Sequence, residues 1–337
     1  MKLFNILFTL FGVVTVIFFL FQILPGDPAR MMMDQNEDVE QLEIIKKKYG
    51  FDEPILKQYL YYLNDLSIIS IHSKNPEKIN FIRENKYSFT KIYDFQNSTL
   101  VLKFPYLRES YQRRGVKVST IIMDTFPNTV VLAISSILFA TVFGLLLGIF
   151  SALYKETLFD NSIQLFSTFG MSMPSFLSSI IFAWIFGFVL ADITGLNMTG
   201  SLFELDDFGD EYRLELKNLI LPSIVLGIRP IAVISMMMRN SLIETLKKNY
   251  VITAYAKGLS KSKVILNHCL KNSLNPVITA LSGWFASLLA GSVFVEYIFG
   301  WNGLGREIVN SLNLLDVPVI IGAVIVVSFS FIMINIF

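Results

Sequence analysis

The sequence predicts an all-α polytopic membrane protein with six transmembrane helices. Of its 337 residues, 53% are hydrophobic and 16% are charged, whereas soluble domains carry about 25% charged residues. The mean hydropathy is +0.56. Several uncharged stretches reach the length of about 20 residues that a helix needs to cross a bilayer. These observations exclude an ordinary soluble domain.

Charge and cysteine content exclude several classes of function. The net charge is +1, so no overall positive field favours nucleic acid, and no nucleic-acid partner is expected. One Cys and two His exclude a disulfide framework and do not favour a metal site. Both His72 and His268 are expected to be ordinary surface residues. No G-x-x-x-x-G-K-[ST] stretch occurs, so the chain is not expected to hydrolyse ATP itself.

Each predicted span is an apolar stretch between polar segments. The first is followed by LPGDP rather than by a small-residue cleavage site, which indicates a retained helix and not a signal peptide. The fourth contains Arg229 and two prolines that bend a helix, Pro222 and Pro230. The six spans are 3–24, 129–153, 161–191, 218–238, 276–295 and 317–337.

Loop charges orient these spans, because short loops rich in Lys and Arg stay in the cytoplasm. The loop 246–275 holds six lysines and no acid, whereas 192–217 holds seven acids and two basic residues. The first loop is therefore predicted to be cytoplasmic and the second external. Counting back places the N-terminus in the cytoplasm and the long segment 25–118 outside. Arg113, Arg114 and Lys117 oppose this orientation, but the rule loses force in long segments.

The external segment is predicted to be a small ordered insert. Apolar residues recur at helical spacing over 39–49, and Gly50 follows as a helix-ending residue. Pro54 begins a second predicted helix that runs to Leu66, and the remainder indicates mixed structure. The chain is thus divided into a first transmembrane helix (1–24), an extracytoplasmic insert (25–118) and a five-helix core (119–337) with the cytoplasmic loop 246–275.

The cytoplasmic loop predicts a helix, a turn and a second helix. Residues 245–257 are compatible with a helix that Gly258 ends. Ser260 is a candidate cap for a second helix running to Asn272, which Asn275-Pro276 then breaks. The residues alone leave two interpretations open. One is an amphipathic hairpin lying on anionic lipid, and the other is a docking element for a soluble partner.

The stretch TAYAKGLSKSKVILNHCLKNSLNPV at 253–277 resembles the cytoplasmic loop of binding-protein-dependent ABC importer permeases, in their dipeptide, oligopeptide and nickel branch. Departures are Ile252 and Tyr255, where the branch commonly has Arg, and Asn275, where an aliphatic residue is usual. Most of the chain is similar in order, and 68–115 matches poorly. The other matching stretches are LPGDPA (24–29), KKYGFDEPILKQYLYYL (47–63), FPNT (126–129), SMPSF (172–176), LILPSIVLG (219–227), RNSLIETLKKNYV (239–251) and VEYIFGWNGLG (295–305).

The resemblance implies a type I ABC importer permease in a bacterial inner membrane. Its partners would be a sister permease in a heterodimer, two ATP-binding subunits, an extracytoplasmic substrate-binding protein and membrane lipid. This chain would bind no cofactor, and ATP and Mg would be used by the ATP-binding subunits. The loop around Gly258 would be the coupling element that lies in a groove of an ATPase. Its implied residues are Thr253, Ala254, Ala256, Lys257, Gly258, Leu259 and Ser260.

Two groups in the fourth span are candidates for a translocation path. Arg229 lies about 11 residues into the span, roughly 16 Å deep at 1.5 Å per residue, where an intramembrane charge faces protein or water. It either meets the carboxylate of a passing peptide or forms a structural pair between subunits. Met236 and Met237 offer a soft surface suited to varied substrates, with core packing as the alternative interpretation.

The stretch after the fifth span predicts an external turn. Glu296, Gly303 and Gly305 belong to it, and its glycines suit a tightly turned backbone. Either this turn contacts the binding protein, or its glycines serve only the geometry of the loop. The spacing Gly144-x-x-x-Gly148 permits close helix approach. No nucleophile–base pair or carboxylate pair is evident, so no catalytic site is predicted.

The predicted function is therefore that of a transmembrane permease subunit, not an enzyme, that imports dipeptides or oligopeptides delivered by a binding protein. One alternative is import of nickel or another metal chelate by the same architecture. A second alternative is a membrane scaffold or sensor that transports nothing and uses the 25–118 insert as a receptor.

Overall fold

The computed structural model describes residues 2–23, 27–33, 39–76, 78–82, 88–206 and 209–336. Residues 24–26 of the LPGDPA stretch, Asp207 among the external acids and Phe337 at the end of the last predicted span lie outside the described residues. The chain divides into two units, residues 1–124 with 308–328 and residues 125–307 with 329–337. Each unit has a hydrophobic core of its own.

Within the described residues, three to five helical elements are long and apolar enough to cross a membrane. Three are continuous, at Val118–Leu153, Leu216–Leu246 and Val317–Ile336. Two are pairs with a sharp bend, Leu158–Ser172 with Ser175–Val189 at 108° and Lys261–Ser273 with Asn275–Gly291 at 49°. The first helix contributes a shorter apolar stretch, Ile6–Gln22. A total of six spans stays a prediction, and the third predicted span is not one straight helix.

The first unit combines helices with a small sheet, so the all-α prediction was too narrow. In this antiparallel sheet Ser98–Lys103 is the central strand, with Ile69–Ser73 and Phe89–Asp94 paired on its two sides. The elements are α1 (Lys2–Ile23), α2 (Pro28–Met31), α3 (Val39–Tyr49), α4 (Ile55–Leu66), β1 (Ile69–Ser73), β2 (Phe89–Asp94) and β3 (Ser98–Lys103). The helices predicted at 39–49 and 54–66 are thus confirmed, and Gly50 follows the first with φ +76°.

Buried polar contacts hold the loops of the first unit in place. The Nε of Arg108 donates to Oδ2 of Asp65 over 2.8 Å. The carboxylate of Asp316 accepts from the backbone N–H of Tyr111 over 2.9 Å and from the hydroxyl of Ser110. His72 is fully buried in β1 rather than on the surface, because its ring nitrogens bond to neighbouring polar groups within the unit.

The second unit is mostly helical. It begins with α5 (Val118–Leu153), whose residues up to 124 belong to the first unit. The elements up to the 3₁₀ turn are α6 (Leu158–Ser172), α7 (Ser175–Trp184) continued by a π-helical turn (Ile185–Val189), α8 (Ala191–Thr194), the hairpin of β4 (Phe203–Leu205) and β5 (Tyr212–Leu214), and the 3₁₀ turn itself (Leu216–Leu219). The helices that follow are α9 (Ile220–Leu246), α10 (Asn249–Ala256), α11 (Lys261–Val264), a π-helical turn (Ile265–Cys269), α12 (Leu270–Ser273), α13 (Asn275–Gly291) and α14 (Val293–Phe299). The last two helices, α15 (Leu304–Asn313) and α16 (Val317–Ile336), include residues of both units.

Close contact between α5 and α9 depends on two glycines one turn apart. A Cβ atom added at Gly148 would lie 2.6 Å from the backbone oxygen of Ser235 and 2.7 Å from Cβ of Met238. One added at Gly144 would lie 2.8 Å from Cβ of Ile234. Real Cβ atoms do not approach so closely, and the two helices therefore need hydrogen at both positions. The Gly144-x-x-x-Gly148 spacing marks a packed helix pair, as predicted.

An ion pair between Asp160 and Arg239 joins α6 to α9. The guanidinium Nε and Nη2 donate to the two carboxylate oxygens over 2.7 and 2.6 Å. The same carboxylate accepts from Gln164 over 3.1 Å, from the backbone N–H of Glu156 over 2.9 Å and from the hydroxyl of Ser151. The side chains are only 1% and 15% exposed. A fork of two parallel bonds fixes both distance and orientation, so this pair sets how α6 meets α9.

We expect Gly148→Ala to destabilise the second unit by about 1–3 kcal/mol, the usual range for overpacking. The added methyl group must separate α5 from α9, because backbone oxygen cannot move aside. The measurement is thermal unfolding of the purified protein in mild detergent. Gly283→Ala is the matched control, since a Cβ there meets no atom within 4 Å. Equal melting temperatures for the two variants would contradict the packing argument.

Asp160→Asn should lower the free energy of unfolding by about 3–5 kcal/mol, the range for breaking a buried ion pair, because it leaves the charge of Arg239 without its anion. The double variant Asp160→Asn with Arg239→Met should lose less than the two single losses added together. Thermal unfolding of the four proteins gives this coupling energy. The exposed pair of Lys248 with Glu244 serves as control, and Glu244→Gln should cost at most about 0.5 kcal/mol. Additive losses at 160 and 239 would show that the pair is not coupled.

Candidate coupling and translocation site

The loop 246–275 forms a helical hairpin that starts with a break the sequence did not predict. The helix α9 ends at Leu246, and α10 begins at Asn249 after an extended Lys248. The predicted helix over 245–257 is therefore wrong at its beginning. The returning arm runs over 261–273, close to the predicted bounds, and contains a π-helical turn at Ile265–Cys269. Ser260 precedes it, but its side chain makes no capping hydrogen bond.

Gly258 ends α10 with a left-handed backbone, at φ +81°. The N–H of Gly258 donates to the carbonyl of Tyr255 over 2.9 Å, and the N–H of Leu259 donates to that of Ala254 over 3.4 Å. This pair of bonds is the Schellman motif, which favours glycine at the left-handed position. A Cβ atom at 258 would meet nothing within 4 Å. Among the described residues, none covers the tip of the hairpin at this position.

The hairpin is built on a core that it shares with α9. Val251, Val264 and Cys269 are fully buried and pack in one cluster with Leu242 and Ala254. The two arms are also tied by a bond of 2.8 Å from the amide of Asn272 to the hydroxyl of Tyr250. Because this cluster is continuous with the side chains of α9, a displacement of the hairpin must be transmitted to that helix.

The implied coupling residues separate into two groups. Ala254 is buried and Leu259 is half-buried, so both support the hairpin from within. The other five are exposed: Thr253, Ala256, Lys257, Gly258 and Ser260. They share the surface with two exposed apolar side chains, Ile252 and Tyr255, at the positions where the sequence departs from its branch. This mixed surface at the tip is the candidate docking face.

Arg229 lies in α9 beside a small cavity of about 60 Å³. The cavity lining includes Trp284 and three hydroxyl groups, those of Ser175, Ser178 and Ser287. Arg229 is exposed in this chain, and the described residues offer its guanidinium no ion pair or side-chain hydrogen bond. A cation at this depth in a span needs water, a ligand or another subunit to solvate it. The structure therefore leaves both predicted roles of Arg229 open.

The methionines of α9 lie largely within protein. Met238 is fully buried, and Met237 packs against the cluster shared with the hairpin. Met236 is half-buried. Of the predicted path residues, Met237 therefore belongs to the core, and the core-packing alternative describes it better.

The turn after α14 is organised around a buried carboxylate. Glu296 is 0% exposed and accepts from the hydroxyl of Ser292 over 2.8 Å and from the backbone N–H groups of Gly305 and Arg306 over 2.7 and 3.2 Å. These two N–H groups belong to the first turn of α15, where a carboxylate is favoured. Cβ atoms at Gly303 or Gly305 would collide with the Glu296 carboxylate. Glu296 thus shapes the turn and cannot itself touch an external protein.

Two functional candidates escaped the sequence analysis. Arg306 bridges the turn, since its Nη1 donates to the carbonyl of Gly300 over 2.8 Å and to Asn302 Oδ1 over 2.5 Å. The second candidate is the Asp160–Arg239 pair, whose arginine lies on α9, the helix that shares its core with the hairpin. Arg239 opens the matching stretch RNSLIETLKKNYV, so its position carried a signal. The sequence signal at Asp160 was weaker, since it was only an acidic residue next to an apolar span.

Comparisons with known proteins agree with this geometry. Residues 144–337 match the family model of binding-protein-dependent transport system inner membrane components, and residues 1–81 match the model of their N-terminal part. A di/tripeptide transport system permease protein, DppB, of Pseudomonas aeruginosa is 32% identical over 97% of this chain and 90% of its own length.

Two further relatives point the same way. The dipeptide transport system permease protein DppB of Lactococcus lactis is 32% identical over 95% of this chain and 88% of its own length. The glutathione transport system permease protein GsiC of Escherichia coli K12 is 30% identical over 99% of this chain and 92% of its own length. This chain belongs to the family of binding-protein-dependent transport system inner membrane components, as a multi-pass permease component of a bacterial ABC importer.

Proposed function

We propose that this permease imports dipeptides or oligopeptides handed over by an extracytoplasmic binding protein. The family supports ATPase and binding-protein partners in general. We further propose a heterodimer with a sister permease, served by two subunits that bind ATP and Mg. The relatives named above are permeases for dipeptides, di/tripeptides and glutathione, itself a peptide. These names favour peptides over nickel or another chelate.

The observation that supports coupling is the hairpin with its bare tip at Gly258 and its core continuous with α9. In the proposed orientation the N-terminus and this hairpin face the cytoplasm. Closure of the ATPase subunits would push the hairpin, and its packed core would move α9. The Asp160–Arg239 pair would then carry the movement to α6. A scaffold or sensor that transports nothing would have no need for such a transmission, and purification without any ATPase would favour it.

The proposed path runs past Arg229. Peptides carry a terminal carboxylate, and the guanidinium is suited to bind it in a bidentate geometry. The neighbouring hydroxyls of Ser175, Ser178 and Ser287 can donate to the same carboxylate or to peptide carbonyls.

Replacing Gly258 by Asn should abolish coupling and leave the fold intact. Asn tolerates the left-handed backbone, and a Cβ atom at this position has none of the described atoms within 4 Å. It would instead project into the proposed ATPase groove. The measurements are uptake of a labelled dipeptide and ATPase activity stimulated by the binding protein. Gly209→Asn is the matched control, since Gly209 has φ +77° and equally open surroundings in the predicted external loop.

We expect near-normal uptake with Gly209→Asn and a loss of at least about tenfold with Gly258→Asn, the effect of about 1.4 kcal/mol on an equilibrium constant. Equal uptake by the two variants would show that no partner approaches position 258.

Replacing Arg229 by Gln should remove discrimination between peptides with free and amidated C-termini. The wild type should take up the free carboxylate at least about tenfold better, since a hydrogen bond between charged groups contributes about 1.5–3 kcal/mol. The variant should lose uptake of the free peptide alone. Competition between the two peptides for uptake into cells or proteoliposomes measures this. Arg213→Gln, at an exposed arginine, is the control. Equal losses for both peptides would assign Arg229 a structural role.

A further inference from the structure

A second cavity, of about 250 Å³, lies in the first unit. Two stretches that resemble the family, LPGDPA and KKYGFDEPILKQYLYYL, contribute much of its wall, and the proposed transport function uses neither. From them come Asp27, Pro28, Tyr49, Phe51, Gln58 and Tyr62.

The cavity lies beside the ends of two apolar helices. Its apolar wall includes Phe18 and Phe21, in the last turns of α1, and Val317 and Pro318, in the first turn of α16. Both helices are apolar, and α16 is long enough to cross a membrane. Aromatic residues are enriched at membrane–water interfaces. A molecule in the membrane can therefore reach this cavity along two lipid-compatible walls.

The floor of the cavity carries a polar group without a partner. Tyr62 is 2% exposed, and its hydroxyl has no hydrogen-bond partner within the described structure. Burial raises the pKa of Tyr62 above its ordinary value, so the hydroxyl keeps its proton and remains a donor. A buried hydroxyl without a partner costs about 1–3 kcal/mol. A ligand acceptor at this position would remove that cost.

Cationic groups surround the same space. The guanidinium of Arg108 lies 4.9 Å from the centre of the Tyr62 ring and uses its Nε for Asp65. At the rim, the ammonium of Lys46 lies 3.0 Å from the carboxylate of Asp27, and both side chains are about one third exposed. Donors therefore predominate on the floor, and the rim offers one charge of each sign. This arrangement is complementary to an anionic acceptor group that carries an apolar tail.

We propose that this cavity binds a membrane phospholipid, with its phosphate among Tyr62, Arg108 and Lys46 and its acyl chains along α1 and α16. Free phosphate has the same acceptor oxygens as the headgroup, but it would make no contact with the apolar walls. The lipid holds the ends of α1 and α16 together at the membrane surface. Asp27 accepts from the ammonium of a headgroup that has one.

The test uses the protein purified from membranes in mild detergent, with the subunits that accompany it. The probe is isotopically labelled phosphatidylethanolamine, and mass spectrometry counts the labelled molecules retained per chain. Lys46→Gln should reduce retention about tenfold, as expected for loss of a charged hydrogen bond. Tyr62→Phe should reduce it about threefold, the effect of a neutral bond. Lys47→Gln is the matched control, on the same helix but outside the cavity lining.

The outcomes separate the proposal from its rivals. The proposal is overturned if Lys46→Gln and Tyr62→Phe retain as much labelled lipid as Lys47→Gln does. It is also overturned if inorganic phosphate displaces the labelled lipid. Thermal unfolding after delipidation gives a second readout. Added phosphatidylethanolamine should raise the melting temperature of the wild type more than that of Tyr62→Phe. A Tyr62→Phe protein that is more stable by the same margin with and without lipid would show that the hydroxyl is only a packing defect.

Discussion

The second unit depends on one constraint: the hairpin at 249–273 and the helix α9 pack into a single apolar cluster. Val251, Val264 and Cys269 of the hairpin have no other core to enter, and α9 supplies it through Leu242 and Met238. Close-packed interiors transmit displacement rather than absorb it. The hairpin is therefore a rigid extension of the spanning helix, not a loop attached to it.

The helix α9 is held from its other sides by contacts of different chemistry. Toward α5 the contact is steric, because Gly144 and Gly148 leave room only for hydrogen. Toward α6 it is electrostatic, because Asp160 and Arg239 meet through two short bonds. Steric contacts fix distance, whereas the paired bonds also fix rotation. Together they leave α9 few ways to move alone, which suits a helix that passes movement on.

Much of this arrangement was visible in the sequence, and the misses have physical reasons. Apolar runs predicted most of the long helices, and the glycine spacing at 144 and 148 indicated a close helix approach without identifying α9 as the partner. The break before α10 was missed because Lys247 and Lys248 are good helix formers, and only packing of the hairpin requires an extended residue there. The burial of Glu296 was missed because two of its partners, at Gly305 and Arg306, are backbone N–H groups, which every sequence supplies equally. The glycines of this turn were recognised in the sequence, but the structure shows that they are needed because the Glu296 carboxylate lies against them.

The Schellman motif at Gly258 also determines what kind of surface the hairpin tip is. A residue without a side chain, turned outward, presents peptide groups and a local contour instead of a functional group. Recognition by contour is indifferent to the identity of the flanking side chains. Substitutions such as Tyr255, where the branch commonly has arginine, alter the neighbourhood of the tip but not its backbone outline. Under the proposed coupling function, changes in the side chains around the tip would leave the shape of the docking surface unchanged.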